Sequence, residues 1–108
     1  MKLVLLDNAA LGLVRQQQHL FYRQQYVGSR FERQVDFVAI ARGFGLEACD
    51  LRNVPDPALA LRQAMVSSRA TLIRVPINES EQVLPMVAPG RANTDPVDHP
   101  RGVTVDCS

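Results

Sequence analysis

The chain has 108 residues, 46% of them hydrophobic, and a formal net charge of +1 from 12 basic and 11 acidic side chains. That length sets an expectation of one domain, and the charge balance excludes the electrostatic footprint of a nucleic-acid or anionic-membrane binder. No apolar run is long enough to span a bilayer, Met1-Lys2 with its brief apolar run is not a secretory signal, and Cys49 and Cys107 lack metal-ligand spacing, so a reduced, cytoplasmic setting is expected.

Leu3 to Leu6 is a continuous apolar run, the pattern of a parallel strand covered on both faces. A helix is expected from near Ala10, with Leu11, Val14 and Gln18 on one side. Arg23 to Val35, with Gly28-Ser29 in its middle, reads as a long loop, and its Arg30 and Arg33 as solvated charges. Loops of that length are often functional. Asp36 is placed to cap a second helix through Phe37, Ile40, Ala41 and Phe44, and Gly45 fits the left-handed position after it. Ala48 to Leu51 follows as a short strand, with Cys49 a small buried hydrophobe.

Asp56-Pro57 is a helix start, a cap followed by proline at the first helical position. Its apolar stripe is Leu61, Ala64 and Met65, with Met65 as core filler. Thr71 to Val75 is a third strand, ended by Pro76. The rest is turn-rich, except for the apolar island Val83-Leu84-Pro85-Met86-Val87, which should dock on a surface. The composition of 91–108 is that of a flexible terminus. The fold class is α/β. Three parallel strands with flanking helices make only part of a doubly wound sheet, as if cut at its first strand.

The most informative stretch is Asp7-Asn8-Ala9-Ala10-Leu11-Gly12-Leu13, the junction of the first strand and first helix. Open α/β sheets bind ligands at the carboxyl ends of their strands. A helix N-terminus offers backbone N–H groups to a phosphate, and hard side-chain oxygens beside it suit a divalent metal bridging to a diphosphate. The alternative is that Asp7 or Asn8 is an ordinary helix cap.

Four stretches in order carry a resemblance: Leu5 to Gln16, then Leu20-Phe21-Tyr22, then Asp36-Phe37 through Phe44-Gly45, then Val83 to Gly90. Together they resemble the C-terminal end of the acetolactate synthase (acetohydroxyacid synthase) large subunit, over about residues 1 to 95. The resemblance implies a thiamine diphosphate and Mg²⁺ enzyme of branched-chain amino-acid biosynthesis. It condenses pyruvate with a second 2-keto acid by transfer of a two-carbon unit. Residues 1–90 are then the C-terminal part of the thiamine diphosphate-binding domain.

In that family the cofactor motif begins with Gly-Asp-Gly and ends with a pair usually written Asn-Asn. Asp7-Asn8 stands where the pair stands, with Asp in place of the first Asn. Asn8 inherits the metal-ligand role, Ala10 a backbone carbonyl ligand, and Leu11, Gly12 and Leu13 the positions that wrap the diphosphate. Only the second member of the pair is expected to ligate, so Asp7→Asn should be mild and Asn8→Ala severe. Gln17 stands where much of the family has a tryptophan that narrows the substrate entrance, favours 2-ketobutyrate and stacks on sulfonylurea and imidazolinone herbicides; a bacterial isozyme branch has Gln there.

The resemblance assigns no catalytic acid or base to this chain. The family's Gly-Asp-Gly segment, its catalytic glutamate (on a partner subunit) and the FAD-holding middle domain match nothing here. The expectation is a C-terminal fragment, a truncated reading frame or an excised domain, inactive alone, whose parent is at least a homodimer with a regulatory small subunit. The alternatives are a standalone non-catalytic remnant or interaction module, or a piece of a pyruvate oxidase or glyoxylate carboligase. His19 and His99 are read as non-catalytic.

Overall fold

A computed structural model describes residues 1–98. His99, Cys107 and most of the expected tail lie outside the described residues. The chain divides into two units, one of Met1–Ala9 with Arg33–Asn78, the other of Ala10–Glu32 with the residues from Glu79 onward.

In the first unit, the apolar run becomes β1 (Lys2–Asp7). Elsewhere Gly12–Phe21 forms α1, described below with its own unit. Asp36 caps α2 (Phe37–Gly43) by accepting a hydrogen bond from the Ala39 N–H at 2.9 Å. The helix stops in a Schellman motif: Leu46 N–H donates to the Ala41 carbonyl, and Gly45 N–H to that of Arg42. Gly45 has φ +77°, which a side chain disfavours. β2 (Glu47–Asp50) follows. Asp56 then caps α3 (Pro57–Val66), accepting from Leu59 N–H at 3.0 Å, with proline in the first turn. β3 (Thr71–Pro76) completes the sheet.

The sheet is parallel, in the order β1-β3-β2. β3 is central, and Thr71, Ile73 and Arg74 on it are buried. α2 lies against β2 and β3, and α3 against β3. Three expectations fail here. Cys49 on β2 is half-buried and not buried. Leu3, Val4 and Leu6 are exposed, because β1 is an edge strand and α2 and α3 pack elsewhere. Met65 is exposed, so it is not core filler; α3 buries no residue.

The second unit holds α1 and the apolar island. Leu11 and Val14, the side expected to be apolar, are exposed, while Gln16 and Leu20 are buried. The reason is a side chain acting as backbone. Gln16 Nε2 donates to the Val83 carbonyl and Gln16 Oε1 accepts from Val83 N–H, both at 2.8 Å. Its Nε2 also approaches Met86 Sδ at 3.4 Å. The island thus docks, as expected, through a polar clasp. Its end forms β4 (Met86–Val87), which pairs antiparallel with β5 (Pro96–Val97), inside the segment expected to be a tail.

Gln16→Ala should release this segment. Two hydrogen bonds to one residue are lost and the Val83 backbone groups are left without the partner they have here, a loss of about 1–3 kcal/mol. Limited proteolysis should then cut near Val83 faster than in wild type. Unchanged cleavage would mean that Gln16 does not hold the segment.

Candidate functional site: the carboxyl ends of the parallel strands

Sheet register brings three charged residues onto one face. Arg74 pairs directly with Asp50 and with Leu5, and Asp7 lies two residues beyond Leu5. Side chains two apart on a strand share a face. Arg74 Nε and Nη2 both donate to Asp7 Oδ2 at 2.7 Å, and Nη1 donates to Asp50 Oδ1 at 3.1 Å and Oδ2 at 2.9 Å. The Arg74 and Asp7 side chains are each 7% exposed, and that of Asp50 is 38% exposed.

Each carboxylate also holds the chain that leaves its strand. Asp7 Oδ1 accepts from Ala9 N–H at 3.0 Å, and Asp50 Oδ1 accepts from Arg52 N–H at 2.9 Å. Ala9 is left-handed, with φ +57°, uncommon for a residue with a Cβ. Burial alone raises the Asp7 pKa, but the Ala9 N–H and the Arg74 guanidinium outweigh it and hold the carboxyl below its ordinary value. Arg74 is pushed the other way: burial lowers its pKa, and the two carboxylates raise it above the usual value.

These contacts bear on the capping alternative. Asp7 serves its own turn, and the cap position of α1 is Leu11, which has no side-chain oxygen. The helix begins at Gly12, two residues later than expected. Ala10 is buried and bridged antiparallel to Arg30, and Leu11 N–H donates to the Ser29 carbonyl at 2.7 Å. Part of the expected long loop is therefore strand-like support for the helix start. The Leu11 N–H is engaged there, so the backbone donors of the first turn start at Gly12 and Leu13. First-turn N–H groups have no intrahelical acceptor, and no acidic residue stands in that turn. Such an end attracts an anion.

Asn8 lies at the strand end in the first unit; Ala10, Leu11, Gly12 and Leu13 lie in the second. By residue type, an amide oxygen and a backbone carbonyl are ligands that a hard divalent cation takes, and helix-end N–H groups are donors that a phosphate accepts. Gln17 is half-buried on α1, one turn beyond the exposed Leu13 and Val14.

Other polar residues cluster in the second unit, in a pocket that Gly12 also lines. His19 Nδ1 and Tyr26 Oη are 2.6 Å apart, and the Arg15 guanidinium lies 4.2 Å from the Tyr26 ring centroid. Arg15 and Arg30 both reach Glu79, at 3.7 and 3.3 Å. Reading the sequence missed Arg74, Asp50 and Gln16. Arg74 had a signal: an arginine inside an otherwise apolar central strand requires carboxylates.

The sequence profile of the thiamine pyrophosphate enzyme C-terminal TPP binding domain matches residues 1–75. The chain belongs to this family. It is 47% identical over 96 residues to the acetolactate synthase isozyme 1 large subunit of Escherichia coli (strain K12), covering 89% of this chain and 17% of that protein. With the isozyme 2 large subunit of the same organism it shares 36% over 95 residues, 88% of this chain and 17% of that protein. With the acetolactate synthase of Arthrospira platensis it shares 35% over 95 residues, 87% and 16%. The chain therefore spans about one sixth of the length of these relatives. Within the described residues, no helix is long and apolar enough to cross a membrane.

Proposed function

We propose that this chain is the C-terminal part of the thiamine diphosphate-binding domain of an acetolactate synthase, acting in the cytoplasm on pyruvate and a second 2-keto acid. The observation that carries the reading is the similarity, over 89% of the chain, to the acetolactate synthase isozyme 1 large subunit of E. coli, beside a turned strand end in the first unit and a ten-residue helix without a side-chain cap in the second.

The Asn8 side-chain oxygen and the Ala10 carbonyl would hold Mg²⁺, and the backbone at Leu11, Gly12 and Leu13 would wrap the diphosphate. Bound there, the group would supply an electron sink for the two-carbon transfer. The chain's own residues bind and orient: Asp7 and Ala9 turn the strand end, the α1 N-terminus faces negative charge, and Gln17 borders the approach of the acceptor. None of the described residues takes the acid–base role. FAD, a partner subunit and a regulatory small subunit belong to the same proposal, outside this chain.

The test is a chimera. The matched stretch of the E. coli isozyme 1 large subunit is replaced by this chain's residues. The expected result is a protein that binds thiamine diphosphate with Mg²⁺ and forms acetolactate from pyruvate. A folded chimera that does neither overturns the reading.

The same chimera tests Gln17. Glutamine lacks the aromatic face and apolar area that stacking needs. Gln17→Trp should raise 2-ketobutyrate preference and sulfonylurea sensitivity together, with the preference changing by roughly tenfold or more, the scale of one altered apolar contact. Product ratios from competing keto acids measure it. An identical ratio before and after shows that the position does not gate the acceptor.

A further inference from the structure

We infer that Arg74 is a positioning residue for the proposed cofactor loop, acting through Asp7, and that the same guanidinium sets the chain exit of β2 through Asp50. The inference rests on the proposed function for its cofactor part alone. Its geometry is a single clasp across all three strands, with Arg74 at the centre. On each side, the carboxylate that receives the arginine also caps the N–H two residues on, at Ala9 and at Arg52. On the β1 side that capped turn carries Asn8 out of the sheet and holds Ala9 at φ +57°.

The chemistry explains why Asp stands at position 7. Asp7 accepts at both oxygens, from Arg74 at Oδ2 and from Ala9 at Oδ1. Asparagine has one acceptor oxygen and one donor nitrogen. Beside Arg74, Asp7→Asn must therefore leave either Arg74 or Ala9 facing an NH₂ group. If residue 74 presents an acceptor instead, asparagine satisfies both neighbours. Arg74→Gln does this, because its amide ends where Nε of arginine sits. The two positions are thus coupled: the carboxylate of Asp7 matches the guanidinium of Arg74, and an amide at position 7 matches a shorter amide at position 74.

The first arm of the test is amide hydrogen exchange on the 108-residue chain. Asp7→Asn should speed exchange at Ala9 by about tenfold, the loss of a hydrogen bond to a charged group, and leave Arg52 unchanged. Asp50→Ala, which removes the acceptor of the Arg52 N–H, should do the reverse. The double variant Asp7→Asn/Arg74→Gln should restore protection at Ala9. The second arm titrates Mg²⁺ and thiamine diphosphate into the chimera by calorimetry, at a temperature where circular dichroism shows each variant folded. Asp7→Asn should weaken binding by about 10–100-fold, as loss of a group that orients a metal ligand does. Asp50→Ala, which leaves the Arg74–Asp7–Ala9 contacts in place, serves as the comparison and should weaken binding less than Asp7→Asn, and the double variant should recover most of the affinity. Unchanged Ala9 exchange in Asp7→Asn, or no recovery in the double variant, overturns the inference. A wild-type chimera that binds no cofactor overturns the functional reading and the cofactor part with it, while the exchange data still decide the clasp.

Discussion

Arg74→Met should destabilise the chain by about 3 kcal/mol at neutral pH. Removing one partner of a buried ion pair typically costs about 3–5 kcal/mol, because the other charge is left without its partner. The low end applies, since the Asp50 side chain is 38% exposed and can rehydrate, whereas that of Asp7 is 7% exposed and cannot. Methionine fills much of the arginine stem's volume, so the loss reports charge rather than a cavity. Against a total stability of about 5–15 kcal/mol for a domain, this is a large fraction. The deficit should also depend on pH. In wild type, burial raises the Asp7 pKa, but the Ala9 N–H and Arg74 bring it below its ordinary 3.8. A carboxyl depressed in the folded state contributes stability that is fully present above the unfolded value and is lost as pH falls through the folded one. Without Arg74 that contribution shrinks, and a protonated Asp7 no longer lacks a counter-charge. The deficit should therefore be largest near pH 7 and narrow below about pH 4. Urea unfolding at the two pH values measures it. A deficit that is the same at both pH values would show that Arg74 acts through packing instead.

What was legible in the sequence was local chemistry. Asp36, Asp56-Pro57 and Gly45 lie within three residues of the groups they satisfy, and each sits where its cap or turn was expected. The third strand and its end at Pro76 were equally plain. Features set by distant partners were not legible. α1 starts at Gly12 because Ala10 and Leu11 are paired with Ser29 and Arg30, across a loop whose path no local rule gives. Gln16 is buried because Val83, 67 residues away, takes both ends of its amide. A glutamine in the middle of an amphipathic helix reads as solvated until that partner is known. Met65 failed for a related reason: a stripe identifies the apolar side of a helix, not whether anything covers it. For Arg74 the need for carboxylates was readable, but which ones depends on the strand order β1-β3-β2. The same order changes one expectation. Asp7→Asn looked mild while Asp7 was only the non-ligating member of a pair; with Arg74 and Ala9 both bound to it, the substitution disturbs the turn that presents Asn8.

Asn8→Ala in the chimera should all but remove Mg²⁺-dependent thiamine diphosphate binding, while the protein remains folded. Mg²⁺ demands near-ideal octahedral geometry and is held by few protein oxygens, so a missing one is not easily replaced. Groups that merely orient ligands contribute about 10–100-fold in affinity, and loss of a ligand should exceed that. The capping reading makes a different forecast: loss of a helix cap costs about 1 kcal/mol of stability, with no selective defect in cofactor binding. The fold already weighs against it, since α1 has Leu11 at its cap position and Asn8 lies three residues before that. Asn8→Asp separates the two further. It keeps a side-chain oxygen in place for a cation, and should bind Mg²⁺ and cofactor far better than Asn8→Ala. Calorimetric titration of Mg²⁺ at saturating thiamine diphosphate, on wild type and both variants, gives the ranking. Equal affinities for wild type and Asn8→Ala would remove Asn8 from the metal site, and with it the side chain on which the cofactor-loop reading of this segment depends.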